Sequence, residues 1–236
     1  MTETYRITAA RSGTRGLILG LIPVPGGAAR LIKLSLRPLL LIAVLISLSA
    51  CIATQPRDIS NVCTMFEERR SWYKAAERTE ERWGVPVHVS MAFIHQESAY
   101  QARIRPARNR LLWVIPWTRP SSAFGYAQAL DTTWSEYRQA TGNRLAMRSN
   151  FGDAMDFIGW YNRNSHRRNN IPYSDARNLY LAYHEGNTGF ARGSYAGNAT
   201  LLATAQRVQA NADRYQAQFA QCERELGKNW FMRVFS

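Results

Sequence analysis

Residues 85–98, VPVHVSMAFIHQES, are mostly apolar until their polar close, and within them Val87, Met91, Ile94 and Glu97 recur at intervals of four, three and three. Pro86 suits a first helical turn, so the pattern predicts a buried helix whose inward stripe ends on a carboxylate. Near the C-terminus, Leu201, Ala205, Val208, Ala212, Tyr215, Phe219 and Cys222 return every three or four residues and predict one long helix with a single apolar stripe. Towards the other end, Ile59, Cys63, Phe66, Tyr73, Ala76 and Trp83 trace a looser stripe that Asp58 or Ser60 could cap. A further helical stretch, NFGDAMDFIGWYNRNS, covers residues 150–165. Breaks are expected at residues 84–86, 105–120, 141–143, 169–174 and 186–197. Internal repeats are absent, and the reading is a mainly α single domain over residues 58–236.

Residues 1–50 differ from the rest. They carry +5 of the formal net charge of +13 and end in the uncharged run PLLLIAVLISLSA, residues 38–50. That run is shorter than the roughly 20 residues of a membrane-spanning helix and reads as a secretory signal. The sequence LSAC, Leu48 to Cys51, resembles the lipobox of bacterial lipoproteins. The resemblance implies that Cys51 is acylated and becomes the new N-terminus, with residues 51–57 as a lipid-bearing tether on the periplasmic face of the cell envelope. Ile52 is not the aspartate that retains many enteric lipoproteins at the inner membrane, which favours the outer membrane. A second apolar patch at residues 16–27 does not fit a simple leader and points to a start downstream of Met1.

Export gives the remaining cysteines, Cys63 and Cys222, an oxidising compartment, where paired thiols persist as disulfides. A staple between the first and last helices is expected; the alternative is two separately buried thiols, because spacing does not show that the sulfurs meet. Export also argues against nucleic acid as a partner, despite the basic charge.

Glu97 is the first candidate for chemistry. On a buried stripe at a helix C-terminus, desolvation and the helix dipole both raise a carboxyl pKa and keep the group protonated, as a general acid requires. The alternative is that the helix ends there and Glu97 turns into water. Two later stretches favour the chemical reading. Glu97-Ser98, then Gly125-Tyr126-Ala127-Gln128, then Ala182-Tyr183-His184-Glu185-Gly186 follow in order, and together they resemble the lytic transglycosylases with a soluble-transglycosylase, lysozyme-like domain. That family shows Glu-Ser, Gly-Leu-Met-Gln and Ala-Tyr-Asn-Ala-Gly at these places, and the likeness runs from about Trp83 to Tyr195.

The resemblance implies a lysozyme-like fold with a short loop or hairpin insertion, flanked by N- and C-terminal helices. It also implies cleavage of the bond between N-acetylmuramic acid and N-acetylglucosamine in peptidoglycan glycan strands, with no metal or cofactor. By analogy Glu97 is the catalytic carboxylate and Tyr183 hydrogen-bonds it. Ser98 and Gln128 match residues lining the sugar groove, and Gly125 and Gly186 serve as backbone. Tyr126 with Ala127, and His184 with Glu185, depart from the pattern, so the floor and far wall of the groove should differ. Glu185 either pairs with a nearby arginine or serves as a second carboxylate, which would make the enzyme a lysozyme-like hydrolase. His88, His95 and His184 show no metal-ligand spacing. Residues 103–120, RIRPARNRLLWVIPWTRP, hold five arginines and no acid. They read as a hairpin-like insertion or as an exposed lip whose Trp113 or Trp117 meets sugar or lipid. The competing function class is a non-catalytic lipoprotein that holds glycan strands or organises an assembly.

Overall fold

The computed structural model describes residues 55–106, 110–111, 115–116 and 121–227. Cys51, the segment before it, and Trp113 and Trp117 lie outside these residues. Among the described residues there are seven helices: α1 (Val62–Glu68), α2 (Arg70–Trp83), α3 (Val87–Ser98), α4 (Asp131–Thr141), α5 (Phe151–Asn169), α6 (Ala176–Ala191) and α7 (Ala199–Gly227). Two short strands, β1 (Arg110–Leu111) and β2 (Ile115–Pro116), pair antiparallel between α3 and α4, Leu111 opposite Ile115. The mainly helical architecture and the hairpin insertion agree with the expected fold class.

α3 is the central helix. Seven of its residues from Val87 to Ile94 are buried, with His88 the partial exception, so this helix is apolar almost all round rather than striped. α7 packs along it with the predicted stripe, and Leu201, Ala205, Val208, Ala212, Tyr215 and Phe219 are all buried. α5 lies against α2, and the ring of Trp72 stacks on Phe151 with centroids 3.9 Å apart. One carboxylate ties three helices: Asp156 on α5 accepts hydrogen bonds from Arg82 and Trp83 Nε1 on α2 and from the Tyr137 hydroxyl on α4.

The N-terminal stripe is two helices, not one. The chain leaves helical geometry at Arg69, with φ −133° and ψ 75°. The cap of α1 is Asn61, whose side chain accepts from the Cys63 and Thr64 amides; Asp58, an expected cap, accepts from Ser60 instead. Cys63 on α1 and Cys222 on α7 are joined by a disulfide, S–S 2.01 Å. The last residues of the expected tether are packed on the domain instead of running free of it, because Gln55 Nε2 donates to the Ala99 carbonyl at 2.6 Å and the Arg57 amide to Glu68.

Candidate active site

α3 delivers Glu97 in its last turn, and Ala99, at a left-handed φ of 47°, stops the helix by returning its N–H to the His95 carbonyl. Glu97 keeps part of its surface open to a groove of about 650 Å³ lined also by Gln128, Phe157, Tyr161, Tyr183, His184 and Glu185. Aromatic side chains border it: Tyr180 bonds its carboxyl, and Phe157, Tyr161 and Tyr183 line the same groove. The Tyr180 and Tyr183 rings each lie 5.5 Å from Phe93, and the Tyr161 ring lies 4.9 Å from Tyr183. Burial among these rings pushes the Glu97 carboxyl up to about 7, while a hydrogen bond from the Tyr180 hydroxyl opposes the rise without cancelling it. Burial first, and the Glu97 charge second, hold the hydroxyls of Tyr180 and Tyr183 far above their usual range, so both are protonated donors.

The tyrosine bonded to Glu97 is therefore not the expected one. Tyr183 lines the groove beside Glu97, but its hydroxyl donates to the Ala127 carbonyl; Tyr180, one helical turn earlier on α6, reaches the carboxyl. Tyr180, Tyr161 and Phe157 are the site residues that sequence reading missed. A signal existed for Tyr180, since residues three apart share a helix face.

The opposite wall is a tight turn closed by a bridge between Phe124 and Ala129. Gly125 has φ 79°, and a side chain there would put its Cβ 2.1 Å from the Arg148 carbonyl oxygen, so the turn admits only glycine. Arg148 pins the turn further by donating to the carbonyls of Ser122 and Ala129 and to Asp131. Gln128 lines the groove as expected, its Nε2 committed to the carbonyls of Gly125 and Ile104. Ser98 and Tyr126 do not. Ser98 is buried and returns its hydroxyl to the Ile94 carbonyl, and Tyr126 is buried beneath the turn, edge-on to Trp72 and Phe151.

On α6 the helix breaks at Gly186, with φ 73° and ψ 155°, a conformation open essentially to glycine alone. His184 and Glu185 stand just before the break and both line the groove. Glu185 pairs with no arginine among the described residues. It accepts from the Ser194 hydroxyl at 2.6 Å and meets His184 Nδ1 at 3.0 Å, and these bonds, Ser194 foremost, hold its carboxyl below the usual range. His95 bonds the Tyr215 hydroxyl instead of lining the groove. Among the described residues no group of three or more His, Cys, Asp or Glu is placed to hold a metal ion.

The site thus offers one largely buried carboxyl raised to about pKa 7 with a tyrosine holding it, open to a groove that a second carboxylate, Glu185, also lines. Residues 39–222 match the family described as Transglycosylase SLT domain. No curated protein and no solved structure gave a match.

Proposed function

Since the chain belongs to the transglycosylase SLT domain family, whose members act on peptidoglycan, we propose that it is a lytic transglycosylase cutting the β-1,4 bond from N-acetylmuramic acid to N-acetylglucosamine. The observation that carries this reading is Glu97: a carboxyl open to the groove yet held near pKa 7 by burial. A carboxyl poised there delivers a proton and takes one back within a single turnover.

In the first step Glu97 protonates the glycosidic oxygen, the C1–O bond breaks, and N-acetylglucosamine leaves with its new hydroxyl. The acetamido oxygen of the muramoyl residue closes on C1, standing in for the nucleophilic carboxylate that most retaining glycosidases use. Glu97, now ionised, then takes the proton of the C6 hydroxyl; O6 attacks C1, the acetamido group is released, and a 1,6-anhydromuramoyl end forms. No water is consumed and Glu97 returns to its acid form. Tyr180 orients the carboxyl in both states. The reaction as written asks for no metal or cofactor.

Digestion of purified peptidoglycan by the chain, followed by mass analysis of the muropeptides, tests this directly. Anhydro ends are expected. Reducing ends, heavier by one water, would instead assign Glu185 as base for a water molecule, and an intact fold with no products would leave a glycan-binding scaffold.

Lipid anchorage at Cys51 and a place in the envelope, on the periplasmic face of the outer membrane, complete the proposal. LSAC supports it, and so does the Cys63–Cys222 bridge, since disulfides persist in exported proteins. Fatty-acid labelling should disappear in Cys51→Ser, and labelling that persists would refute the anchor.

A further inference from the structure

The groove does not end at Glu185. A second hollow of about 350 Å³ opens from it, and the two share Thr133, Tyr161, Glu185 and Gly186 as common wall. This annex is built by the part of α6 beyond the Gly186 break, facing the last turns of α5. Asn169 Nδ2 near the end of α5 donates to Asn187 Oδ1 at 3.0 Å, and Ser194 donates its hydroxyl to Glu185 and its backbone N–H to the Gly189 carbonyl, so its rim is fastened at two points. Two guanidinium groups, Arg168 of α5 and Arg192 at the end of α6, line it. Among the described residues the arginine ion pairs are those of Arg69, Arg82 and Arg148, and Arg168 and Arg192 form none. Glu136 of α4 lines the same hollow and also forms no ion pair among the described residues.

A neutral sugar calls for hydroxyls and amides, not for two uncommitted guanidinium forks, which match carboxylates. The glycan of peptidoglycan carries such groups on a side branch: the peptide on each muramoyl lactyl group has D-glutamyl and terminal carboxylates, and its diamino acid adds an amine. We propose that the annex binds this stem peptide, with Arg168 and Arg192 receiving its carboxylates and Glu136 its amine, an inference that rests on the glycan reading of the adjoining groove. The enzyme then acts preferentially on strands that still bear peptide, with the peptide helping to seat the scissile bond at Glu97.

The test compares the intact chain with the Arg168→Gln/Arg192→Gln variant on two substrates: native strands, and strands stripped of peptide by an amidase. Stripped strands keep a free lactyl carboxylate, so they separate recognition of the peptide from recognition of that simpler acid. The wild-type chain should favour native strands in kcat/KM, and the variant should lose about tenfold or more on native strands while matching wild type on stripped ones. Equal wild-type rates on the two substrates, or a variant slowed equally on both, would overturn the assignment. Calorimetric titration of the wild-type chain with the free L-alanyl-γ-D-glutamyl-diamino acid tripeptide reads the annex independently of turnover. Heat that the variant abolishes supports the site, and no heat from wild type at millimolar peptide refutes it. A chain that turns over neither substrate yet binds the tripeptide would sink the transglycosylase reading and spare the annex.

Discussion

Replacing Glu97 by glutamine should remove catalysis and, at alkaline pH, make the protein more stable. The amide matches the carboxyl in size and still accepts the Tyr180 hydrogen bond, but it has no proton to deliver and no charge to bury. Because the folded-state pKa, about 7, lies above the ordinary value of 4.5, the native state binds this proton more tightly than the unfolded chain does. Stability is therefore fully present below about 4.5, falls as pH rises towards 7, and stays at the lower level above it. At about 1.4 kcal/mol per pH unit, ionising Glu97 in the folded protein costs on the order of 3 kcal/mol at pH 8.5, a ceiling because the groove admits some water, and under about 1 kcal/mol at pH 5. For a domain of this size that ceiling corresponds to a rise in Tm of roughly 6–12 °C for Glu97→Gln at pH 8.5. Thermal unfolding of both proteins, followed by circular dichroism at the two pH values, measures it. A Tm difference that is the same at pH 5 and pH 8.5 would show that Glu97 is not held in its neutral form, and the acid role would fall with it.

Tyr180→Phe removes the hydrogen bond that lowers the Glu97 pKa, so the alkaline limb of the pH–rate profile should move to higher pH while the maximal rate drops about tenfold. An unshifted profile would make Tyr180 a packing residue only. Reduction of the Cys63–Cys222 bridge, which closes a separation of 159 residues, should cost up to about 5 kcal/mol in the chain-entropy picture and lower Tm, while muropeptide release at low temperature continues. A Tm indifferent to reductant would refute that contribution.

The helices legible in the sequence were those whose burial follows a simple period. α7 presents one stripe to α3, and six of its seven stripe residues are buried, Cys222 being partly so within its bridge. The break at Arg69 left no mark, because neither glycine nor proline stands there and the chain bends where α1 turns from its packing on α7 towards α2. Glu97 could be singled out because a carboxylate continuing an apolar stripe is costly unless it is neutral. Its partner could not. Tyr180 and Tyr183 lie on one face of α6, and which of them reaches Glu97 depends on the free Ala127 carbonyl across the groove, which claims Tyr183. Likewise Glu185 finds Ser194 only because the chain beyond Gly186 folds back on itself, a tertiary event that composition does not encode.

That fold-back explains why a single helix serves both hollows. A continuous α-helix turns about 100° per residue, so Arg192, nine positions after Tyr183, would point to the opposite side from it. Had α6 run straight, the tyrosines against Glu97 and the arginine of the annex could not have shared one continuous surface. At Gly186 the φ of 73° and ψ of 155° interrupt the rotation, and the second half of the helix re-aims Asn187 and Arg192 alongside the groove. The break would cost stability were it left free. It is held by Ser194, whose hydroxyl donates to Glu185 before the break and whose backbone N–H donates to the Gly189 carbonyl after it. Glu185 is thereby spent on architecture: its carboxylate is ionised by the hydrogen bonds that clamp the break, and drawing it into catalysis as a base would loosen the wall that both hollows share.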